Sequence, residues 1–112
     1  MKKTESITQN YIFRALYRRG RQVSCRTMVV YLGKNRLKTV NRLGFTVSTK
    51  LGCAVSRNRI RRRLREAYRL AEDELRTGFD IVIAARSSCE HADFSVICQE
   101  MRDAFVRLGV IQ

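Results

Sequence analysis

The most constraining feature of this chain is an arginine-rich segment, residues 54–76, whose apolar residues recur at helical spacing. This spacing predicts one long amphipathic helix with a single buried stripe. The stripe consists of Ile60, Leu64, Ala67, Tyr68, Ala71 and Leu75. Six arginines fall between Arg57 and Arg65, and Asn58 is the one other polar residue among them. The chain must therefore pack one side of this helix on a core while the opposite side carries concentrated positive charge.

Positive charge is concentrated in the first part of the chain. Residues 1–65 contain 18 lysines and arginines and one acid, Glu5, whereas residues 66–112 contain five arginines and nine acids. Arginines four residues apart on a helix repel one another, so the run of Arg57, Arg61, Arg65 and Arg69 predicts a counter-charge from outside the chain. Since a guanidinium group holds a phosphate through two parallel hydrogen bonds, the expected partner is a polyanion.

Length and composition predict one domain spanning residues 1–112, with enough apolar residues for a core. No stretch reaches the length of a membrane span, and the N-terminus lacks the apolar region of a signal peptide, so we expect a cytoplasmic protein. The four cysteines are too irregularly spaced for a zinc site and are predicted to be free thiols. The single histidine, His91, is predicted to lie on the surface.

The first half of the chain predicts a helix followed by strands. Ser6 or Thr8 is expected to cap a helix that ends at Gly20, and residues 22–24 form a short extended piece. Residues 27–32 are β-branched and aromatic and predict a strand, residues 33–36 a turn, and residues 40–49 a second strand. Because a short turn joins these two strands, we expect them to form an antiparallel hairpin.

The second half predicts two more elements after the long helix. Gly78 is expected to close that helix, residues 79–85 to form a buried strand, and Asp93 or Ser95 to cap a last helix. The resulting fold class is α+β, with an α-β-β-β-α-β-α order and helices packed on a small mixed sheet. A strand–helix–strand unit of this kind normally crosses over with right-handed topology.

Two further features bear on binding. Phe13, Tyr17 and Tyr31 are aromatic residues among basic ones, which is typical of surfaces that stack on unpaired bases, although core packing explains Phe13 equally well. Gly52 either brings the backbone close to a phosphate or simply allows the turn into the helix. With one histidine and no carboxylate cluster in the basic half, no protein-borne active site is predicted.

At this point the sequence resembles the protein subunit of bacterial ribonuclease P. The matching positions are Lys50, Gly52, Ala54, Val55, Arg57, Asn58, Arg59, Ile60, Arg62 and Arg65. The segments at residues 44–48 and 79–86 fall in the family's order, and the resemblance covers roughly residues 6–108. The N-terminus departs from the family because it lacks a dense basic lead-in, which leaves a role for residues 1–5 unassigned.

The resemblance implies an α-β-β-β-α-β-α sandwich with a left-handed crossover, and a protein that joins one large catalytic RNA. That RNA, using Mg²⁺ bound mainly by itself, removes the 5′ leader from precursor tRNA, and the protein breaks no bond. The residues implied to contact the catalytic RNA are Lys50, Arg57, Asn58, Arg59, Arg61, Arg62 and Arg65. Those implied to contact the leader are Phe13, Arg14, Tyr17 and Tyr31. No membrane and no small-molecule substrate is expected.

Two alternatives remain at this level. A non-catalytic RNA-binding protein of ribosomal type would share the charge but would not distinguish precursor tRNA from mature tRNA. A DNA-binding protein that inserts the basic helix into a major groove is disfavoured, because the full apolar stripe indicates a packed helix rather than a projecting one. The architecture of the RNA partner and any dimerisation of the assembly are not predicted.

Overall fold

The computed structural model describes residues 3–111, and Met1, Lys2 and Gln112 lie outside the described part. Within it, five strands form one mixed sheet with three helices on its faces, which confirms the predicted α+β class. The elements in chain order are β1 (Thr4–Ser6), α1 (Asn10–Arg19), β2 (Arg21–Ser24), β3 (Met28–Lys34), β4 (Asn41–Thr46), α2 (Ala54–Ala71), β5 (Phe79–Ala85) and α3 (Phe94–Leu108). Strand β1 was not predicted.

The sheet has the order β1-β4-β5-β3-β2, so the predicted hairpin between β3 and β4 is wrong. Strand β5 lies between them, parallel to β4 and antiparallel to β3. Its apolar run suits the centre of a sheet, where both strand edges are paired and both faces covered. The side-chain amide of Asn35 holds this arrangement, because it donates to the carbonyls of Val40 at 3.3 Å and Phe79 at 2.9 Å.

Two predicted boundaries in the first half of the chain are also wrong. Gly33 and Lys34 continue β3 instead of turning, because they pair with Asp80 and Phe79 of β5. Gln9, not Ser6 or Thr8, occupies the N-cap of α1, and its side chain makes no capping hydrogen bond. Ser6 instead pairs with Leu43 in the sheet.

Helix α2 ends at Ala71, and the 3₁₀ turn Glu72–Glu74 follows it before Leu75 bridges to Ile111. The backbone N–H of Lys3 and the hydroxyl of Thr4 donate to the Glu72 carboxylate. Strand β1 therefore contacts the chain at the point where the α-helix gives way to the 3₁₀ turn. The predicted start of α3 is confirmed, with Asp93 at the N-cap, although its side chain makes no capping hydrogen bond.

The two faces of the sheet are covered unequally. Helices α2 and α3 close one face over the main core, where the rings of Tyr68 and Phe105 meet edge to face with centroids 6.1 Å apart. On the other face, α1 places Ile12 and Leu16 against Val82 but covers only part of the sheet. The uncovered part of that face, with Tyr31 half-buried, forms the floor of the candidate site.

Candidate nucleic-acid interface

The outer side of α2 presents arginines without acidic partners. Arg59, Arg62 and Arg65 are exposed, and Arg57 and Arg61 are half-buried. None of these five forms an ion pair within residues 3–111. The sole hydrogen bond described from their guanidinium groups joins Arg61 Nη1 to Asn58 Oδ1 at 3.3 Å. This set matches the arginines predicted to contact RNA.

Two other arginines of α2, Arg63 and Arg69, form hydrogen bonds with other groups of the protein. Arg69 Nε donates to Glu66 Oε2 at 3.0 Å, and the hydrogen bonds between them lower the pKa of Glu66. Arg63 Nη2 donates to the carbonyl of Ala92, before α3. The stripe of four arginines inferred from the sequence is therefore shortened at Arg69, which is neutralised by its neighbour.

The entry to α2 is a tight turn. A 3₁₀ turn, Thr49–Leu51, is capped by Ser48, whose hydroxyl accepts from the backbone N–H of Lys50 at 3.1 Å. Gly52 follows at φ +134°, a conformation that a residue with a Cβ rarely adopts, so the turn itself accounts for this glycine. Lys50 is exposed and lies just before the arginine helix.

Cys53 occupies the N-cap of α2 and is exposed. Interactions with the backbone and hydroxyl of Ser56, and with the backbone of Val55, lower the pKa of its thiol. Burial does the opposite for Cys89, whose pKa is raised to about 11. All four cysteines are free, as predicted.

The predicted aromatic residues Phe13, Tyr17 and Tyr31 lie on or beside α1 on one face of the sheet, a surface that we call the aromatic cleft. The rings of Tyr17 and Tyr31 pack edge to face with centroids 4.9 Å apart, and the Tyr17 and Thr46 hydroxyls share a hydrogen bond. Phe13 lies over Gly44 so closely that a Cβ there would be 2.4 Å from Phe13 Cζ. Phe13 is half-buried and also packs against the small core under α1, so both interpretations of this residue apply.

A groove of about 250 Å³ connects this cleft with the arginine helix. Phe13 and Gly44 line one side, Arg61 and Arg65 of α2 line another, and β1 contributes Thr4, Glu5 and Ser6. The fourth predicted leader residue, Arg14, lies exposed on the outer side of α1, away from this groove. The sequence offered no signal for the β1 wall, because three polar residues carry no strand periodicity.

The side chains that could bind a metal ion are spread over the described part of the chain. Within residues 3–111, no three His, Cys, Asp or Glu side chains cluster as a metal site. His91 is exposed, as predicted, and its Nε2 lies 3.6 Å from Glu90 Oε1. No helix in the described part of the chain is both long and apolar enough to cross a bilayer.

The fold and these surfaces define a small α+β protein whose polycationic helix adjoins an aromatic cleft. The sequence profile of a family described as Ribonuclease P matches residues 1–109. The chain is 39% identical over 110 residues to the ribonuclease P protein component of Clostridium acetobutylicum, covering 97% of this chain and 92% of the relative. It is also 39% identical to that of Symbiobacterium thermophilum, covering 100% and 97%.

Solved structures agree with the sequence comparisons. The ribonuclease P protein of Staphylococcus aureus superposes with a TM-score of 0.83 at 31% identity, covering 96% of this chain and 97% of that one. The chain therefore belongs to the ribonuclease P protein component family.

Proposed function

We propose that this protein assists ribonuclease P by binding its catalytic RNA and the 5′ leader of precursor tRNA at two adjoining surfaces. One observation carries the proposal: the groove that begins at Phe13 in the aromatic cleft ends at Arg61 and Arg65 of the arginine helix. A single-stranded leader lying in the cleft would therefore lie beside α2, the helix that the RNA subunit would cover. Membership of the family supports an RNA subunit as the partner.

The outer side of α2 is suited to the backbone of a structured RNA. The proposed contacts are Lys50, Arg57, Asn58, Arg59, Arg61, Arg62 and Arg65. Their guanidinium and ammonium groups bind phosphates and release counterions, which gives affinity without base specificity. The absence of acidic partners for the five arginines, within residues 3–111, leaves their charge available for this purpose.

The cleft is suited to unpaired nucleotides of any sequence. Tyr17 and Tyr31 offer ring surfaces for stacking, and exposed Arg14 would contact a flanking phosphate. Such contacts are made by a precursor with a leader and are lost in the mature tRNA. The protein would therefore favour substrate over product, which helps a processing enzyme to release product.

Bond cleavage is assigned to the RNA subunit with Mg²⁺. Mg²⁺ is held in proteins by carboxylate and other oxygen ligands, and Glu5 is the single acid among the first 65 residues. The residues around the cleft do not fit a magnesium site, so the ions would be bound mainly by RNA. The cytoplasm, where precursor tRNA is processed, is the proposed location.

Reconstitution tests this function. A 5′-labelled precursor tRNA is incubated at low Mg²⁺ with a bacterial ribonuclease P RNA, with this protein, and with both. We expect cleavage that yields the mature 5′ end when both components are present. Tight RNA binding without stimulation of cleavage would instead support the ribosomal-type alternative.

Removing the Tyr31 ring tests the leader contact. Tyr31→Ala should weaken binding of precursor tRNA to the assembled enzyme by about 1–3 kcal/mol, because a stacking surface is lost. Mature tRNA should bind as before, and Tyr31→Phe, which keeps the ring, should bind the precursor like the wild type. Equal weakening for precursor and mature tRNA would show that Tyr31 is structural.

A further inference from the structure

A second groove of about 230 Å³ lies on the other side of α1 from the aromatic cleft. Phe13 and Tyr17 project from one side of the helix, whereas Tyr11, Ala15 and Arg19 project from the opposite side because of the 3.6-residue turn. The groove is lined by Tyr11, Arg19, Gly33, Lys34, Arg42 and Asp80. Neither the predicted RNA-subunit contacts nor the predicted leader contacts include any of these residues.

The sheet register places this groove and the cleft on one face. Gly44, Val82 and Tyr31 are aligned across three strands under the cleft, and Arg42, Asp80 and Gly33 form the row two residues along. Side chains two residues apart on a strand point to the same face. Helix α1 therefore divides one sheet face into two grooves that open on opposite sides of it.

Positive charge in the second groove is only partly compensated. Asp80 holds Arg42 through Nε–Oδ1 and Nη2–Oδ2 contacts of 2.7 and 2.9 Å, and this hydrogen bonding raises the pKa of Arg42. Arg19 and Lys34 are exposed and form no ion pair within residues 3–111. Arg36 and Lys38, in the loop that follows β3, add exposed charge near this end of the sheet.

Tyr11 adds an aromatic surface to this charge. Its side chain is 60% exposed, the largest exposure among the aromatic residues of the described chain, and its hydroxyl makes no hydrogen bond there. A groove that contains an exposed ring and two uncompensated cations has the composition of a surface for single-stranded nucleic acid, where bases stack and phosphates are neutralised.

We propose that this second groove binds a phosphodiester strand of the RNA subunit, with Arg19 and Lys34 on phosphates and Tyr11 stacked on an unpaired base. The inference rests on the proposed function. The leader is not the expected occupant, because the cleft continues from Phe13 towards Arg61 and Arg65, away from this groove. Helix α1, about 10 Å across, separates the two paths.

The test measures affinity for the RNA subunit alone, without tRNA. The double variant Arg19→Gln/Lys34→Gln should weaken binding of the intact protein to a bacterial ribonuclease P RNA about tenfold. It should also reduce the salt slope, which is the steepness with which the logarithm of the binding constant falls with the logarithm of the salt concentration, by about 1.4–1.8. The control variant Arg76→Gln/Arg107→Gln removes the same charge from exposed residues outside both grooves and should change affinity far less. Tyr11→Ala, which keeps the charge, should weaken binding about fivefold or more, and Tyr11→Phe should restore it.

The outcomes separate this inference from the proposed function. A groove variant that folds and binds the RNA subunit like the wild type, with an unchanged salt slope, would overturn the proposal that the second groove binds RNA. The proposed function would be unaffected by that result. Normal subunit binding with weaker binding of long-leader precursors would make the leader the occupant and overturn the assignment to the RNA subunit. A wild-type protein that does not bind the RNA subunit would overturn the proposed function and this inference with it.

Discussion

Helices α2 and α3 lie side by side on one face of the sheet and bury equivalent stripes. Each has five buried residues: Ile60, Leu64, Ala67, Tyr68 and Ala71 in α2, and Ile97, Met101, Ala104, Phe105 and Leu108 in α3. Tyr68 and Phe105 join the two stripes through their ring contact. As contributors to the core, the two helices have similar roles.

Their outer sides differ in charge. Helix α2 has seven arginines and one acid, whereas α3 has two arginines and two acids. Two charges of α3 are used within the fold: Arg102 pairs with Glu74, and Glu100 accepts hydrogen bonds from the Thr27 N–H at 2.9 Å and its hydroxyl at 2.6 Å. Burial opposes ionisation of Glu100, yet these hydrogen bonds lower its pKa. Core packing therefore determines only one side of a helix, and the other side of α2 is available to a partner.

The largest expected effect tests the similarity of the buried sides. Phe105→Ala should lower the free energy of unfolding by about 3–5 kcal/mol and Leu64→Ala by about 2–5 kcal/mol, because each leaves a cavity in the shared core. Denaturant unfolding measures both. Val106→Ala is the matched control, because Val106 is adjacent but 49% exposed and should cost far less. A small effect of Leu64→Ala alone would show that α2 contributes less to the core than α3.

The next effect tests the difference between the outer sides. Replacing Arg57, Arg59 and Arg62 with Glu should weaken binding to the RNA subunit on the order of 100-fold and lower the salt slope by about 2–3. Folding should be unaffected or slightly more stable, because repulsion between arginines four apart is removed. The single reversals Arg62→Glu on α2 and Arg107→Glu on α3 change the charge by the same amount. The loss of affinity for the RNA subunit is measured for both in the same binding titration. Equal losses for these two would mean that net charge, not the surface of α2, determines RNA affinity.

The last and smallest difference concerns the reactivity of two cysteine thiols, Cys53 at the start of α2 and Cys89 before α3. Cys53, exposed with a lowered pKa, should react with iodoacetamide near neutral pH well before Cys89, whose raised pKa and burial keep it protonated. Raising the pH should accelerate labelling of Cys53 first, since its thiolate forms at lower pH. Mass spectrometry of the labelled native protein locates the modification, and Cys53→Ser should remove the fast phase. Equal rates at both cysteines would contradict the described N-cap geometry.

Local periodicity was enough to predict much of this fold. The apolar stripe of α2 and the buried strand β5 were predicted correctly, because neighbours along the chain determine which side of a helix or strand is apolar. Of the two predicted caps of α3, Asp93 and Ser95, the structure has Asp93. The aromatic residues Phe13, Tyr17 and Tyr31 were named from the sequence, and in the structure they lie on or beside α1 on one face of the sheet, although their role in binding stays a prediction.

Pairing between distant segments was not predictable in the same way. A short connection between β3 and β4 suggested a hairpin, but β5 separates them, because a strand with two apolar faces gains most at the centre of the sheet. Strand β1 is three polar residues long and is defined by its pairing with residues 41–43. Its contribution to the groove beside Arg61 therefore came from the tertiary structure.

The amino-acid sequence alone was enough to predict a long helix with one apolar and one basic side, four free cysteines and a charge suited to a polyanion. The pairing of Arg69 with Glu66 is local to α2, but the contact of Arg63 with the Ala92 carbonyl depends on how α2 packs beside the segment before α3. Only the tertiary structure decided that one sheet face carries two grooves divided by α1. The physical reason is that composition fixes the amount of charge, whereas packing between residues far apart in the chain fixes where that charge remains exposed.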